Sequence, residues 1–92
     1  MHERLEAVVS GRVQLVMYRD FATRKARGFK LVGEVQNLPD GTVRVVAEGE
    51  REKLNLYVEK LRQGSLLAHV EEVSVSWLPA THTFTAFSIH YD

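Results

Sequence analysis

The sequence predicts an α+β sandwich of the split βαβ, or ferredoxin-like, type: an antiparallel sheet with two helices on one face, ordered βαββαβ, with an additional short C-terminal strand. Three observations predict it. Two segments carry apolar residues at helical spacing, each lies between segments that alternate as strands do, and the connections are short and contain Gly, Pro and Asp. A chain of 92 residues fits one domain, residues 1–92, with a single two-layer core.

In order along the chain, Leu5 to Ser10 alternates, with Leu5, Ala7 and Val9 on one face and Glu6, Val8 and Ser10 on the other. From about Arg19 to Arg27 the spacing is helical, placing Phe21, Ala22, Lys25 and Ala26 along one side and Gly28 just past the end. Leu31 to Asn37 reads as the second strand, and Leu38-Pro39-Asp40-Gly41 as a tight turn whose Pro and Gly supply the backbone angles. Thr42 to Glu48 returns as the third strand, facing Val43, Val45 and Ala47 to the core and closing a hairpin. The second helix runs from about Glu50 to Gln63, with Leu54, Tyr57, Val58 and Leu61 on one stripe and Gly64 at its C-terminal cap. Strand four, about Val70 to Trp77, presents Val73, Val75 and Trp77; strand five, about Thr83 to His90, presents Phe87 and Ile89. Trp77 and Phe87 are expected in the core or at its rim.

Composition narrows the function classes. Hydrophobic residues make up 45% and charged residues 26%, an ordinary globular balance, and no apolar run approaches the roughly 18 residues that read as a membrane span. No signal-peptide pattern is read at the start, so the expected location is the cytoplasm, with no membrane partner. Cysteine is absent, which removes disulfides, thiolate metal sites and cysteine nucleophiles. His2, His69, His82 and His90 show no paired ligand spacing, so neither metal nor cofactor is expected. A net charge of zero and a third strand without aromatics argue against a nucleic-acid partner. A chain of this size is expected to work as a monomer.

The charge is unevenly spread. Arg12, Arg19, Arg24, Lys25, Arg27 and Lys30 face the single acid Asp20 within residues 12–30, which concentrates positive field around one loop. That loop, Gly11-Arg12-Val13-Gln14-Leu15-Val16-Met17-Tyr18-Arg19, joins a strand to a helix start. There the unpaired N–H groups and the helix dipole favour an anion, and an arginine can add two parallel bonds to phosphate oxygens.

With these residues in view, nearly the whole chain resembles the acylphosphatase family. Gly11-Arg12-Val13-Gln14, Val16, Tyr18 and Arg19 match its first signature; Gly33, Asn37, Asp40-Gly41-Thr42-Val43 and Gly49 match its second. The resemblance implies hydrolysis of the carboxyl–phosphate bond of a small acyl phosphate, giving a carboxylate and inorganic phosphate without metal or covalent intermediate. It implies catalytic roles for Arg19 and Asn37. The phosphate would be held by Gln14, Leu15, Val16, Met17, Tyr18 and Arg19, a cradle that free phosphate or sulfate is also expected to occupy. Asn37, with an acceptor and a donor, is suited to orient a water. Two departures stand out: Leu15 occupies a usual glycine, where a left-handed backbone would cost about 1–2 kcal/mol, and Glu34 replaces an aromatic on the strand face opposite Asn37. The alternative reading is a non-catalytic acylphosphatase-like module that binds an anion such as carbamoyl phosphate.

Overall fold

Residues 2–14 and 17–91 are described by the computed structural model. The periodic segments resolve into β1 (His2–Arg12), α1 (Tyr18–Gly28), β2 (Val32–Asn37), β3 (Val43–Glu50), α2 (Arg51–Gln63), β4 (His69–Pro79) and β5 (Phe87–His90). The sheet order is β4-β1-β3-β2-β5. β1 runs antiparallel to both β3 and β4, and β2 antiparallel to β3, as the sequence leads one to expect. β5 differs: it pairs parallel to β2, so the sheet is mixed. The chain leaves β4 at one edge, crosses the whole sheet and enters the far edge in the direction of β2. Strand five is also shorter than the alternation suggests, because residues 80–86 make that crossing.

Strand alternation decides which side chains meet the helices. Leu5, Ala7 and Val9 of β1, Val35 of β2, and Val43, Val45 and Ala47 of β3 are buried beneath Phe21, Ala22 and Ala26 of α1 and Leu54, Tyr57 and Leu61 of α2. Trp77 is partly buried against this cluster, whereas Phe87 lies inside it. A buried Val, Leu or Phe contributes about 1.5–3 kcal/mol by leaving water, so this layer carries the fold. α1 packs on β2 and β5, and α2 on β1, β3 and β4.

Both helices end in a left-handed residue at or just past their C-termini. Gly64 caps α2 with φ 74° and donates its N–H to the Lys60 carbonyl at 3.0 Å. At α1 the expectation is corrected: Gly28 is the last helical residue, and the left-handed position is Lys30, with φ 60°. The Lys30 N–H bonds the Arg27 carbonyl at 3.0 Å and the Leu31 N–H bonds the Ala26 carbonyl at 2.9 Å, closing a Schellman motif. The buried Leu31 after it fixes where the turn falls, and overrides the preference for glycine at its centre.

Candidate active site

The end of the sheet formed by Arg12, Asn37 and Val43 carries the loop singled out above. The β1–β4 pairing shifts register between Ser10 and Gly11, a bulge that turns the chain into the loop. Gly11 has φ 118°, and a Cβ there would run into the His69 carbonyl, so glycine is required. Val13 is buried. Gln14 donates from Nε2 to the carbonyls of Leu38 and Thr42, each at 2.8 Å, and so fastens the loop to the turn that follows Asn37. Its side chain is therefore spent on architecture, which leaves only its backbone for an anion. Leu15 and Val16 lie outside the described residues.

Met17 is the N-cap of α1 in a left-handed conformation, φ 60° and ψ 26°, and makes no side-chain cap bond. The ladder begins with the Phe21 N–H on the Met17 carbonyl at 3.1 Å. The N–H groups of Tyr18, Arg19 and Asp20, ahead of that first rung, thus point out of a helix end without an N-cap side chain. The Tyr18 side chain turns inward instead, donating its hydroxyl to the Leu61 carbonyl at 2.8 Å. Burial pushes this phenol well above its ordinary range, and its proton is held on the Leu61 carbonyl rather than aimed into the site.

A cleft of about 300 Å³ opens here, lined by Val13, Met17, Tyr18, Arg19, Asp20, Asn37, Ile89 and Tyr91. Arg19 is half-buried, and its guanidinium carbon lies 5.0 Å from the centre of the Tyr91 ring. Asn37 shares the helix-facing side of β2 with Val35, and its Oδ1 is buried with no hydrogen-bond partner among the described residues. A buried acceptor left open in this way costs about 1–3 kcal/mol unless something in the cleft donates to it. A wider groove of about 610 Å³ between α2 and β4, lined in part by Leu56 and Trp77, contains no such orphan among its described residues.

The structure brings Arg19, Asn37, Met17 and Tyr18 to one cleft. It does not gather the other cations there. Arg24 pairs with Asp20 at 3.1 Å, Arg27 donates to the Phe87 carbonyl at 3.0 and 3.2 Å, and Lys25 lies over the Phe21 ring. These three are thus engaged within α1 or against β5, Arg12 and Lys30 are exposed, and Arg19 is the cation of the group that lines the cleft. Glu34 lies half-buried on the open face, away from Asn37. The four histidines are exposed. Sequence reasoning missed Ile89 and Tyr91; the available signal was the period of two from Phe87 through Ile89, which continues to Tyr91.

Comparison with known proteins points to one family. The family model described as acylphosphatase matches residues 5–89. An acylphosphatase of Thermus thermophilus is 55% identical over 74 residues, covering 80% of this chain and 84% of the relative. One from Methanococcoides burtonii is 44% identical over 84 residues, covering 91% and 88%. The crystal structure of an acylphosphatase from Bacillus subtilis superposes with a TM-score of 0.94 at 36% identity, covering 99% of this chain and all of the other.

Proposed function

The chain belongs to the acylphosphatase family, and from that premise we propose how its cleft hydrolyses an acyl phosphate. The phosphoryl group sits in the loop of residues 11–19, its oxygens accepting from the N–H groups of Gln14, Leu15, Val16, Met17 and Tyr18 and from the Arg19 guanidinium. Phosphoryl transfer spreads charge over the equatorial oxygens, so fixed donors aimed at them supply most of what a protein can contribute. The Tyr91 ring against Arg19 limits where the guanidinium can swing.

The observation that supports the water-orienting role is the buried Oδ1 of Asn37 in the cleft wall, which has no partner among the described residues. A water donating to that oxygen is held with its own lone pair free for phosphorus. As its oxygen bonds to phosphorus, the bond from phosphorus to the carboxyl oxygen breaks and the carboxylate leaves with that electron pair. The proton of the attacking water passes to a phosphate oxygen, because no side-chain base among the described residues lines the cleft next to Asn37; Asp20 is paired with Arg24. A carboxylate is a good leaving group and departs without a general acid.

Metal independence belongs to the same proposal, as do a monomeric state, a cytoplasmic location and competitive occupancy of the cradle by phosphate or sulfate. The alternative of a non-catalytic module is not favoured, since relatives named as acylphosphatases match over 84% and 88% of their own length. The deciding experiment follows hydrolysis of benzoyl phosphate by its ultraviolet absorbance with EDTA present, for the natural chain and for Asn37→Ala. Turnover is expected in the first and a loss of about a hundredfold or more in the second, the size of effect seen when one positioned group is removed. Equal rates would remove Asn37 from the mechanism.

A further inference from the structure

Glu48 is a buried acid that the hydrolytic mechanism does not use. It lies on the open face of β3, 2% exposed, at the end of the sheet away from the cleft. Glu48 is opposite Val32, and Val43 opposite Asn37. Five strand positions, about 17 Å, therefore separate its level from that of Asn37.

Its carboxylate is fully engaged. Oε2 accepts from the Thr81 N–H at 2.9 Å, the Thr81 hydroxyl at 2.8 Å and Arg4 Nη1 at 3.2 Å, while Oε1 accepts from the His82 N–H at 3.0 Å. Since the Thr81 hydroxyl donates to Glu48, Thr83 is the donor in the 2.8 Å contact between the two threonines. His82 is bent to φ 57° at this point. Burial raises the Glu48 pKa, but the bonds from Thr81, His82 and Arg4 outweigh it and hold the group at about 2.

The place of this cluster gives it meaning. The connection from β4 to β5 passes β1, β3 and β2, four inter-strand spacings or about 19 Å. Eight chain steps from Pro79 to Phe87 reach at most about 29 Å, so the crossing segment must run largely extended. β3 is the middle of the three strands crossed, and Glu48 grips the crossing segment there. Beyond it, Ala86 accepts from the Gly33 N–H at 3.0 Å, and β5 continues parallel to β2 as far as the Gln36–His90 pair. One residue later stands Tyr91, level with Asn37 and against Arg19.

We propose that Glu48 is a positioning residue for the cleft at the opposite end of the sheet: it fixes the crossover, and through it the placement of β5 that sets Tyr91 against Arg19. The proposal rests on the reading of Arg19 as a phosphate ligand. In Glu48→Gln the shape is kept, but the charge is lost and the new NH2 group faces N–H donors. β5 then shifts or frays, and Arg19 loses its aromatic wall.

The test is a double-mutant cycle in the full chain, read as the inhibition constant of inorganic phosphate. Glu48→Gln, Tyr91→Ala and the double variant are measured well below their unfolding midpoints. Glu48→Gln is expected to weaken phosphate by about three- to tenfold, the range of coupling carried over such distances. In the Tyr91→Ala background the same change is expected to have no further effect. Unchanged phosphate affinity in folded Glu48→Gln, or effects of the two substitutions that simply add, would overturn the proposal. Should Glu48→Gln not fold, Thr81→Val removes one of the four bonds, and a smaller effect that again vanishes in Tyr91→Ala is required. Arg19→Ala separates the two levels: affinity indifferent to it overturns the site reading and this proposal together, whereas affinity that needs Arg19 but not Glu48 overturns this proposal alone.

Discussion

Tyr18 and Tyr57 tie the two helices by reciprocal hydrogen bonds: the Tyr18 hydroxyl of α1 donates to the Leu61 carbonyl of α2 at 2.8 Å, and the Tyr57 hydroxyl of α2 donates to the Ala22 carbonyl of α1 at 2.9 Å. Both rings are buried, and Tyr57 also meets Phe87 edge-on at 6.0 Å between centroids. Because Tyr18 is the first residue of α1, the bond fixes the helix start whose N–H groups face the cleft.

The two bonds are not equivalent. Leu61 lies in the last turn of α2, where carbonyls lack a partner in the helix ladder, whereas Ala22 lies within α1. Tyr18→Phe leaves a buried carbonyl open and is expected to lower unfolding free energy by about 1–3 kcal/mol; Tyr57→Phe is expected to cost about 1 kcal/mol. Urea denaturation of the two variants measures the order, and a larger loss in Tyr57→Phe would refute it.

Lys30 holds the left-handed position after α1, where a side chain costs about 1 kcal/mol relative to glycine. It is exposed and distant in role from the cleft. Lys30→Gly is expected to raise the thermal midpoint by a few degrees with kcat and KM unchanged, as calorimetry and the benzoyl phosphate assay would show.

Gly11 has no such latitude. Its φ of 118° and the His69 carbonyl facing it forbid a Cβ, so Gly11→Ala must displace the ends of β1 and β4. Loss of about 2 kcal/mol or more is expected. Weaker phosphate binding should accompany it, because the same bulge launches the cradle. Titration calorimetry with phosphate, beside denaturation, reads both effects.

The folded state holds Glu48 at about 2, against an ordinary value of 4.5. The unfolded chain therefore takes up a proton that the folded chain refuses. The clamp's contribution is complete above the ordinary value and is lost as pH falls from there towards 2. Denaturation midpoints compared at about pH 7 and about pH 3 should fall less in Glu48→Gln than in the natural chain. Parallel declines would show that other carboxylates govern acid sensitivity.

Much of this was legible in the sequence where one element determines its own pattern. Leu54, Tyr57, Val58 and Leu61 repeat at helical spacing because a single stripe of α2 is buried, and all four are. Arg19 and Asn37 stood out through two local motifs, and both line the cleft. What escaped depends on distant partners. Glu48 alternates like any solvent-facing strand residue, and nothing nearby tells that residues 81 and 82 will cover it. Tyr91 joins the cleft only because β5 lies beside β2, a pairing between segments some fifty residues apart in sequence. Gly28 advertised a helix end, yet the requirement to bury Leu31 moved the left-handed turn to Lys30.

The parallel attachment of β5 has an energetic consequence. This strand has four residues and a neighbour on one side only, whereas β1 and β3 are interior, longer and flanked on both sides. Protein segments open in cooperative units of unequal free energy, and a short edge unit opens well before the whole chain does. The cleft thus takes one wall from the least protected part of the sheet and its Arg19 and Asn37 from α1 and β2, next to the core. As temperature rises, β5 is expected to leave first, taking Ile89 and Tyr91 from the site and Phe87 from the core while β1 and β3 still pair, so heat inactivation is expected to run ahead of global unfolding.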